Sequence, residues 1–540
     1  MKKLLLYNAK IYIGKNQFEE AVYVEDEIIK KVGKSEALLS LCDDSVEQLD
    51  LEGRVVLPGL NDSHMHFLNI GYNAYQLYLG ETKSIDEALE LCKKYIEEHN
   101  IPEGRWVQCY GWNDDNWTDK RNMTRYDLDK VSEKHPIMAV RICGHVTSVN
   151  SYALKEMNIN KEEPQPKEGT FLVDEDGEPT GVLFEMIYRI FRAMPDPTVE
   201  EIKDMILMAA KEAVESGLTE VQTDDFESIP GHNFSNILQA YRELSEEGRL
   251  PLRVYHQCAL PNMERFNLFL EKGFKTHTGD GMYGIGPLKL FGDGSLGART
   301  AWLKDEYSDD PGNLGFGIFD NDAEIDELVE EAHKRGMSVA VHCIGDAAIE
   351  QSVAAIEKAM AKYPEIENRH GIVHAQILNQ DLMDRMKKAN IIAYIQPIFI
   401  EYDLHMAESR IGKERMATSY NWKTLYDMGI KVPFGTDCPV ESHKPMLNIY
   451  SAVTRKDLEC KPEGGWYKEE ALSLDEAIEC YTEQSAYASY SEDKKGRIAE
   501  GMLADMTVLE QDIFEIEEGK IKDIEIAMTI VNGDIKYRNV

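Results

Sequence analysis

The chain is 540 residues long, which suits two to four domains or one large barrel with attachments. With 43% apolar and 29% charged residues it has the composition of a folded globular chain, and 97 acidic against 59 basic residues give a net charge of −38. Such a surface repels phosphate backbones and anionic headgroups, so neither a nucleic-acid partner nor a membrane is expected; a small-molecule substrate stays open, because a pocket need not share the mean charge.

The opening MKKLLLYNAKIYIG is interrupted at Asn8 and Lys10, too early for a secretion signal, and reads as a strand. No apolar run approaches the roughly 18 residues of a membrane helix. Residues 4–13, 21–32 and 46–56 hold short runs rich in Val, Ile and Tyr between turn residues, and 504–510 and 524–537 repeat the pattern at the other end. The Asn532-Gly533 pair between apolar residues is a hairpin signal. Neither end has strands enough for its own core, so 1–56 and 495–540 are predicted to join in one small composite β-sandwich.

Between 57 and 494, apolar runs at 55–60, 217–222, 252–258, 283–291, 337–342, 371–374, 391–395 and 430–435 alternate with helical stretches such as 322–335 and 347–362. Eight such units predict an α/β architecture, a (β/α)8 TIM-like barrel. The stretch 75–200 is too long for one unit; with extra strands at 106–110, 137–142 and 170–173 it implies an insertion at the barrel mouth around 100–185. The nine cysteines are scattered and contain no Cys-x-x-Cys pair, so a disulfide framework is not expected and the cytoplasm is the predicted setting.

Polar residues at the ends of these runs carry the chemistry. His64 and His66 end the first run two positions apart, so their imidazoles share one face and suit a divalent ion; a His-x-His pair alone is common by chance. His342, His374 and Asp437 each end a later run, where barrel enzymes build their sites. Any one of them is more simply a satisfied core residue; four strand-end positions together make that reading poor. Lys289 lies inside the apolar strand 283–291, where an ammonium is costly to bury. It is either a carboxylated lysine bridging two ions or the partner of a nearby carboxylate such as Asp293.

Two features point elsewhere. Gly292-Asp293-Gly294-Ser295-Leu296-Gly297 fits G-x-G-x-x-G, but a turn-rich segment follows instead of a helix, so it reads as a loop at the barrel mouth with Arg299 as a substrate contact. Trp112 and Trp117 either line an apolar pocket or form the core of the insertion.

Five stretches, LPGLNDSHMHF, KLFGDGSLGARTA, VAVHCIGDAAI, GIVHAQIL and VPFGTDCPV, resemble the amidohydrolase superfamily in its amidohydrolase-3 branch, which includes N-substituted formamide deformylases. RICGHVTSVN and the tail GRIAEGMLAD fit the same branch, so the likeness spans nearly the whole chain. The resemblance implies that His64, His66, His342 and His374 are metal ligands, that Lys289 is the carboxylated bridge, and that Asp437 is both ligand and proton shuttle. Glu185 is a rival for the bridge, and His145 a group to steady an oxyanion or a hydrogen-bonding residue of the insertion. The implied function is a metal-dependent hydrolase cleaving a non-peptide C–N bond (amide, N-formyl or N-acyl amine) by metal-activated hydroxide. The expected cofactor is zinc, one or two ions, with a carbamate on Lys289 if two bind. The alternative is a non-catalytic regulatory or small-molecule-binding protein that keeps the barrel. A homodimer is the default assembly.

Overall fold

The computed structural model describes residues 2–142, 145–166 and 169–539. They form two compact units: 1–70, 209–227 and 238–540 in the first, 71–208 and 228–237 in the second.

The first unit holds the barrel and the sandwich. Seven parallel barrel strands follow in chain order: β1 (Leu60–Met65), β2 (Leu218–Thr223), β3 (Arg253–Ala259), β4 (Tyr283–Phe291), β5 (Val339–Cys343), β6 (Gly371–His374) and β7 (Ile392–Tyr394). Each pairs with the next, β1 to β7 across one sheet. Segment 431–438 is the eighth stave. Ala393 and Ile395 donate N–H to Lys431 and Pro433 carbonyls at 2.9 and 3.0 Å on one side. On the other, Ser63 donates to Phe434 O, Asp437 to His64 O and His66 to Cys438 O, all at 2.8 Å. Parallel strands covered on both faces read as unbroken apolar runs, which is why their placement is visible in sequence. Helices return the chain between strands. Asn321 caps Asp322–Lys334 and Asn379 caps Gln380–Lys388, each side chain accepting a first-turn N–H.

Both chain ends build the sandwich. One sheet holds Lys3–Tyr7, Ala21–Glu25, Ile28–Gly33 and Glu47–Asp50; the other sets Gln17–Glu19, Lys10–Gly14 and Val55–Pro58 edge to edge with Met506–Leu509, Ile526–Val531 and Asp534–Arg538, in that order. Val55–Pro58 and Met506–Leu509 pair antiparallel, joining the two termini. Leu4, Leu6, Val22, Val24, Val56, Met506, Val508 and Ile530 fill the space between.

The second unit is a six-stranded mixed sheet in the order Thr170–Val173, Pro179–Phe184, Val146–Val149, Ile137–Arg141, Val107–Trp112, Leu77–Tyr78. Trp112 and Trp117 are buried in its core, stacked at 5.2 Å; their indole N–H groups donate to Ala139 O and Thr82 Oγ1. Of the RICGHVTSVN stretch, Cys143 and Gly144 lie outside the described residues. No helix among the described residues is long and apolar enough to cross a membrane.

Candidate metal centre

His64 and His66 on β1 meet Asp437, just past the eighth stave. The Nε2 atoms of His64 and His66 lie 3.3 and 3.1 Å from Asp437 Oδ1, and one ligand atom from each of the three falls within 4.8 Å of the others. His374 ends β6 and His342 lies near the end of β5, with His374 Nε2 2.9 Å from His342 Nδ1. Ring centroids run in a row: His66 to His64 5.6 Å, His64 to His374 5.8 Å, His374 to His342 4.4 Å.

The backbone is built to allow this. His374 and Asp437 sit at φ of 77° and 59°, a left-handed conformation that costs a side-chain-bearing residue about 1–3 kcal/mol and persists only where the surroundings enforce it. A Cβ on Gly435 would fall 2.6 Å from His64 N, so only glycine lets the eighth stave approach β1 this closely. Asp62 ties the same strands together. Its carboxylate accepts the Thr436 hydroxyl at 2.6 Å and the N–H groups of Thr436 and His64 at 3.1 and 3.2 Å.

Each imidazole is fixed by the nitrogen that faces away from the cluster. Gln257 Nε2 donates to Ser63 O, which leaves Gln257 Oε1 to accept His64 Nδ1–H at 2.7 Å. Gln396 Nε2 donates to Tyr394 O, leaving its Oε1 to accept His374 Nδ1–H at 2.8 Å. His66 Nδ1–H meets Asp224 O at 2.9 Å, and His342 Nε2–H meets Gly294 O at 3.1 Å. With those hydrogens placed, His64 Nε2, His374 Nε2 and His342 Nδ1 present lone pairs inward, and His66 Nε2 would do so once a cation displaces the proton that Asp437 holds on it. Two lone pairs 2.9 Å apart, as on His342 and His374, repel unless a positive charge lies with them.

A proton is a poor filler there. Burial, then the Lys289 charge, pushes His342 down to about 4; burial and the neighbouring His342 ring hold His374 well below its usual range. His66 differs. Burial lowers it, but the Asp437 carboxylate outweighs burial and raises it to about 9. Burial would raise Asp437, yet its bonds to His64 and His66 hold it well below the usual carboxylate range. An ionised carboxylate facing convergent imidazole lone pairs is a donor set that fits a divalent ion such as zinc.

Lys289, on β4, is fully buried; its Nζ lies 3.4 Å from Asp224 Oδ2 and 4.0 Å from the centre of the Phe291 ring. The carboxylate beside it is thus Asp224. Asp293 is instead engaged by the N–H groups of Ile344, Gly345 and Trp302 at 3.0, 2.7 and 2.9 Å. Arg299 lies outside the cluster, its guanidinium bonded twice to Asp309 at 3.0 Å. His145 belongs to the second unit, where its Nδ1 meets Glu185 Oε1 at 2.8 Å and both side chains are exposed. Sequence reasoning missed Gln257, Gln396, Asp62 and Asp224. The signal that could have found them was a polar residue inside an apolar run, as in YHQCA and YIQPI, but the partner across the barrel cannot be read from one strand.

The Amidohydrolase family matches residues 47–537. The chain is 36% identical over 524 residues to the putative amidohydrolase YtcJ of Bacillus subtilis (strain 168), covering 96% of each. It is 24% identical to the N-substituted formamide deformylase of Arthrobacter pascens, over 99% of this chain and 98% of that one. Its fold is similar to the crystal structure of an uncharacterised metal-dependent hydrolase from Pyrococcus furiosus, with a TM-score of 0.78, 29% identity, and 94% of this chain and 99% of that one covered.

Proposed function

The chain belongs to the amidohydrolase family, and from that premise we propose that this hydrolase cleaves a non-peptide C–N bond, in an amide, N-formyl or N-acyl amine. The observation that carries the reading is the convergence of the inward imidazole nitrogens of His64, His66, His342 and His374 beside the Asp437 carboxylate. A divalent ion, zinc by preference, would be held by His64, His66 and Asp437 on the side that His342 and His374 face, and would supply the Lewis acidity to polarise a carbonyl and acidify water. The remaining work falls to the chain. Asp437, kept ionised by His64 and His66, accepts the proton of the attacking water and returns it to the departing nitrogen. An amine leaves poorly as an anion, so the same carboxylate has to take and give.

The geometry at Lys289 favours a single ion. A carbamate there would set an anion 3.4 Å from the Asp224 carboxylate, whereas an ammonium pairs with it. One ion per chain and an unmodified Lys289 are expected; two ions with a carbon dioxide adduct on Lys289 in native mass spectra would contradict this. The formamide deformylase relative makes formamides the first substrates to assay.

The test is metal content with chelator-sensitive hydrolysis of formamides and N-acyl amines. Asp437→Asn keeps the metal but lowers kcat by about 100-fold or more, the range expected for losing a positioned acid–base group. Bound metal with no turnover of any C–N substrate, or near-normal activity in the Asn variant, would contradict the proposal.

A further inference from the structure

The second unit holds a cleft of about 290 Å³, and every residue lining it belongs to that unit. Four aromatic side chains line it. Tyr72 comes from the helix Phe67–Ala74 and Tyr75 from just past it; Tyr95 comes from the helix Ile85–Glu98, and Trp106 precedes the strand Val107–Trp112. Pro102, Pro195, Pro197 and Pro230 add stiff backbone to the same lining, because each ring fixes its own φ.

The aromatic walls are tied in place. Tyr95 donates its hydroxyl to Tyr75 O at 2.8 Å, and its ring lies 4.3 Å from the His99 ring, whose Nδ1–H meets Tyr95 O at 3.0 Å. Tyr72 is 4% exposed; its ring meets Phe191 edge-on at 6.3 Å and its hydroxyl donates to Gln108 Oε1. Burial pushes the Tyr72 hydroxyl up, so it keeps its proton and that bond. A cleft already ordered in this way loses little freedom when something enters it.

The polar groups of the lining say what could enter. Arg105 and Glu201 pair with each other, so no guanidinium or carboxylate of the lining is left unpaired. Gln108 Oε1 is taken by Tyr72, which leaves Gln108 Nε2 as a donor. Neither that nitrogen nor Trp106 Nε1 has a hydrogen-bond partner among the described residues, and both side chains are half-buried. Ring faces with N–H donors suit an aromatic acceptor, whereas an ammonium would meet those donors and the Arg105 guanidinium. The volume is at the small end of the roughly 300–1,000 Å³ of small-molecule sites, room for one or two fused rings. We propose that the second unit binds an uncharged, flat aromatic carbonyl compound of that size. Its rings pack against Tyr72, Tyr75, Tyr95 and Trp106, and its oxygen accepts from Gln108 Nε2.

The test is calorimetry of the full-length protein with chromone, a flat two-ring ketone with no C–N bond to cleave. Chromone binds saturably at one site, and 1-decalone, a ketone of similar size with puckered saturated rings, binds about tenfold more weakly because it cannot stack. Gln108→Glu keeps an acceptor for the Tyr72 hydroxyl but removes the donor, and chromone affinity falls about tenfold. Trp106→Leu, which removes one wall, lowers it by a similar factor. The comparison of chromone with 1-decalone needs no variant, so it decides the matter even where a substitution disturbs the fold. Absence of saturable chromone binding, or equal affinity for 1-decalone, overturns the proposal. So does chromone affinity unchanged in both variants, which would place the bound molecule elsewhere. Tighter binding of phenyltrimethylammonium than of chromone would also overturn it, making the cleft a cation site.

Discussion

A histidine ring has two nitrogens, and the one that carries the hydrogen decides which one can hold a cation. Here that choice is made by residues behind the cluster, two of them glutamines whose amide nitrogens are tied to Ser63 O and Tyr394 O. Turning either amide would break that tie and set its oxygen against a backbone carbonyl oxygen, two acceptors face to face, so the tautomers of His64 and His374 follow from backbone geometry. Gln257→Leu or Gln396→Leu removes the acceptor while keeping the volume, and metal affinity measured by competition with a chelator should fall about 10–100-fold. Unchanged affinity in both variants would mean that the rings are held by packing alone. The ligand candidates were legible as His and Asp at the ends of apolar runs. The glutamines were not, because their role depends on Gln257 of β3 bonding His64 of β1, two strands away in the sheet, and on Gln396, just past β7, lying beside His374 of β6, and no local pattern encodes such a partner.

At the scale of elements, the barrel strands were legible because both of their faces are buried, and burial on both sides leaves an unbroken apolar run in the sequence. The eighth stave was read from the same signal at 430–435; in the structure it spans 431–438 and is joined by hydrogen bonds to both β1 and β7. Behind β5, a buried histidine pair links helix to strand. His370 Nδ1 accepts Val339 N–H at 3.1 Å, so its Nε2–H donates to His333 Nδ1 at 2.9 Å, and His333 Nε2–H reaches Tyr363 O at 3.1 Å. Burial, with the His333 ring, lowers His370 from 6.5 to about 3. Between those values the unfolded chain binds a proton that the folded chain refuses, so this contribution to stability is present above about pH 6.5 and lost as pH falls toward 3. Buried carboxylates such as Asp293, raised by burial to about 7, act in the opposite sense, so the difference from a variant is the useful quantity. His370→Gln keeps an acceptor for Val339 N–H. The stability advantage of the natural protein over this variant, from urea midpoints, should shrink from pH 7.5 to pH 5; an advantage that grows on acidification would contradict the buried, neutral pair.

Across the molecule, the two chain ends close on each other. Deleting 495–540 removes Met506–Leu509, Ile526–Val531 and Asp534–Arg538, uncovers the edge of Val55–Pro58 and opens the core around Leu4, Val22 and Val56. Val55–Pro58 leads directly into β1, which carries His64 and His66. A loss of this size exceeds the roughly 5–15 kcal/mol by which a domain is stable, so the truncated chain should show no cooperative melting transition. A native-like melt would mean that the barrel stands without its sandwich. The composite sandwich was legible from β patterning at both ends. The second unit was only partly so: its strands at 137–142 and 170–173 follow apolar runs, whereas the short Leu77–Tyr78 strand and the return of 228–237 carry no local signal.

All of these scales meet in the placement of one cation. The most direct measurement is anomalous diffraction from crystals of the zinc-loaded protein, collected on either side of the zinc absorption edge. The account predicts one strong anomalous peak in contact with His64 Nε2, His66 Nε2 and Asp437, on the side that His342 and His374 face. A peak elsewhere, or a zinc-loaded crystal in which those imidazoles keep only their present hydrogen bonds, would contradict it.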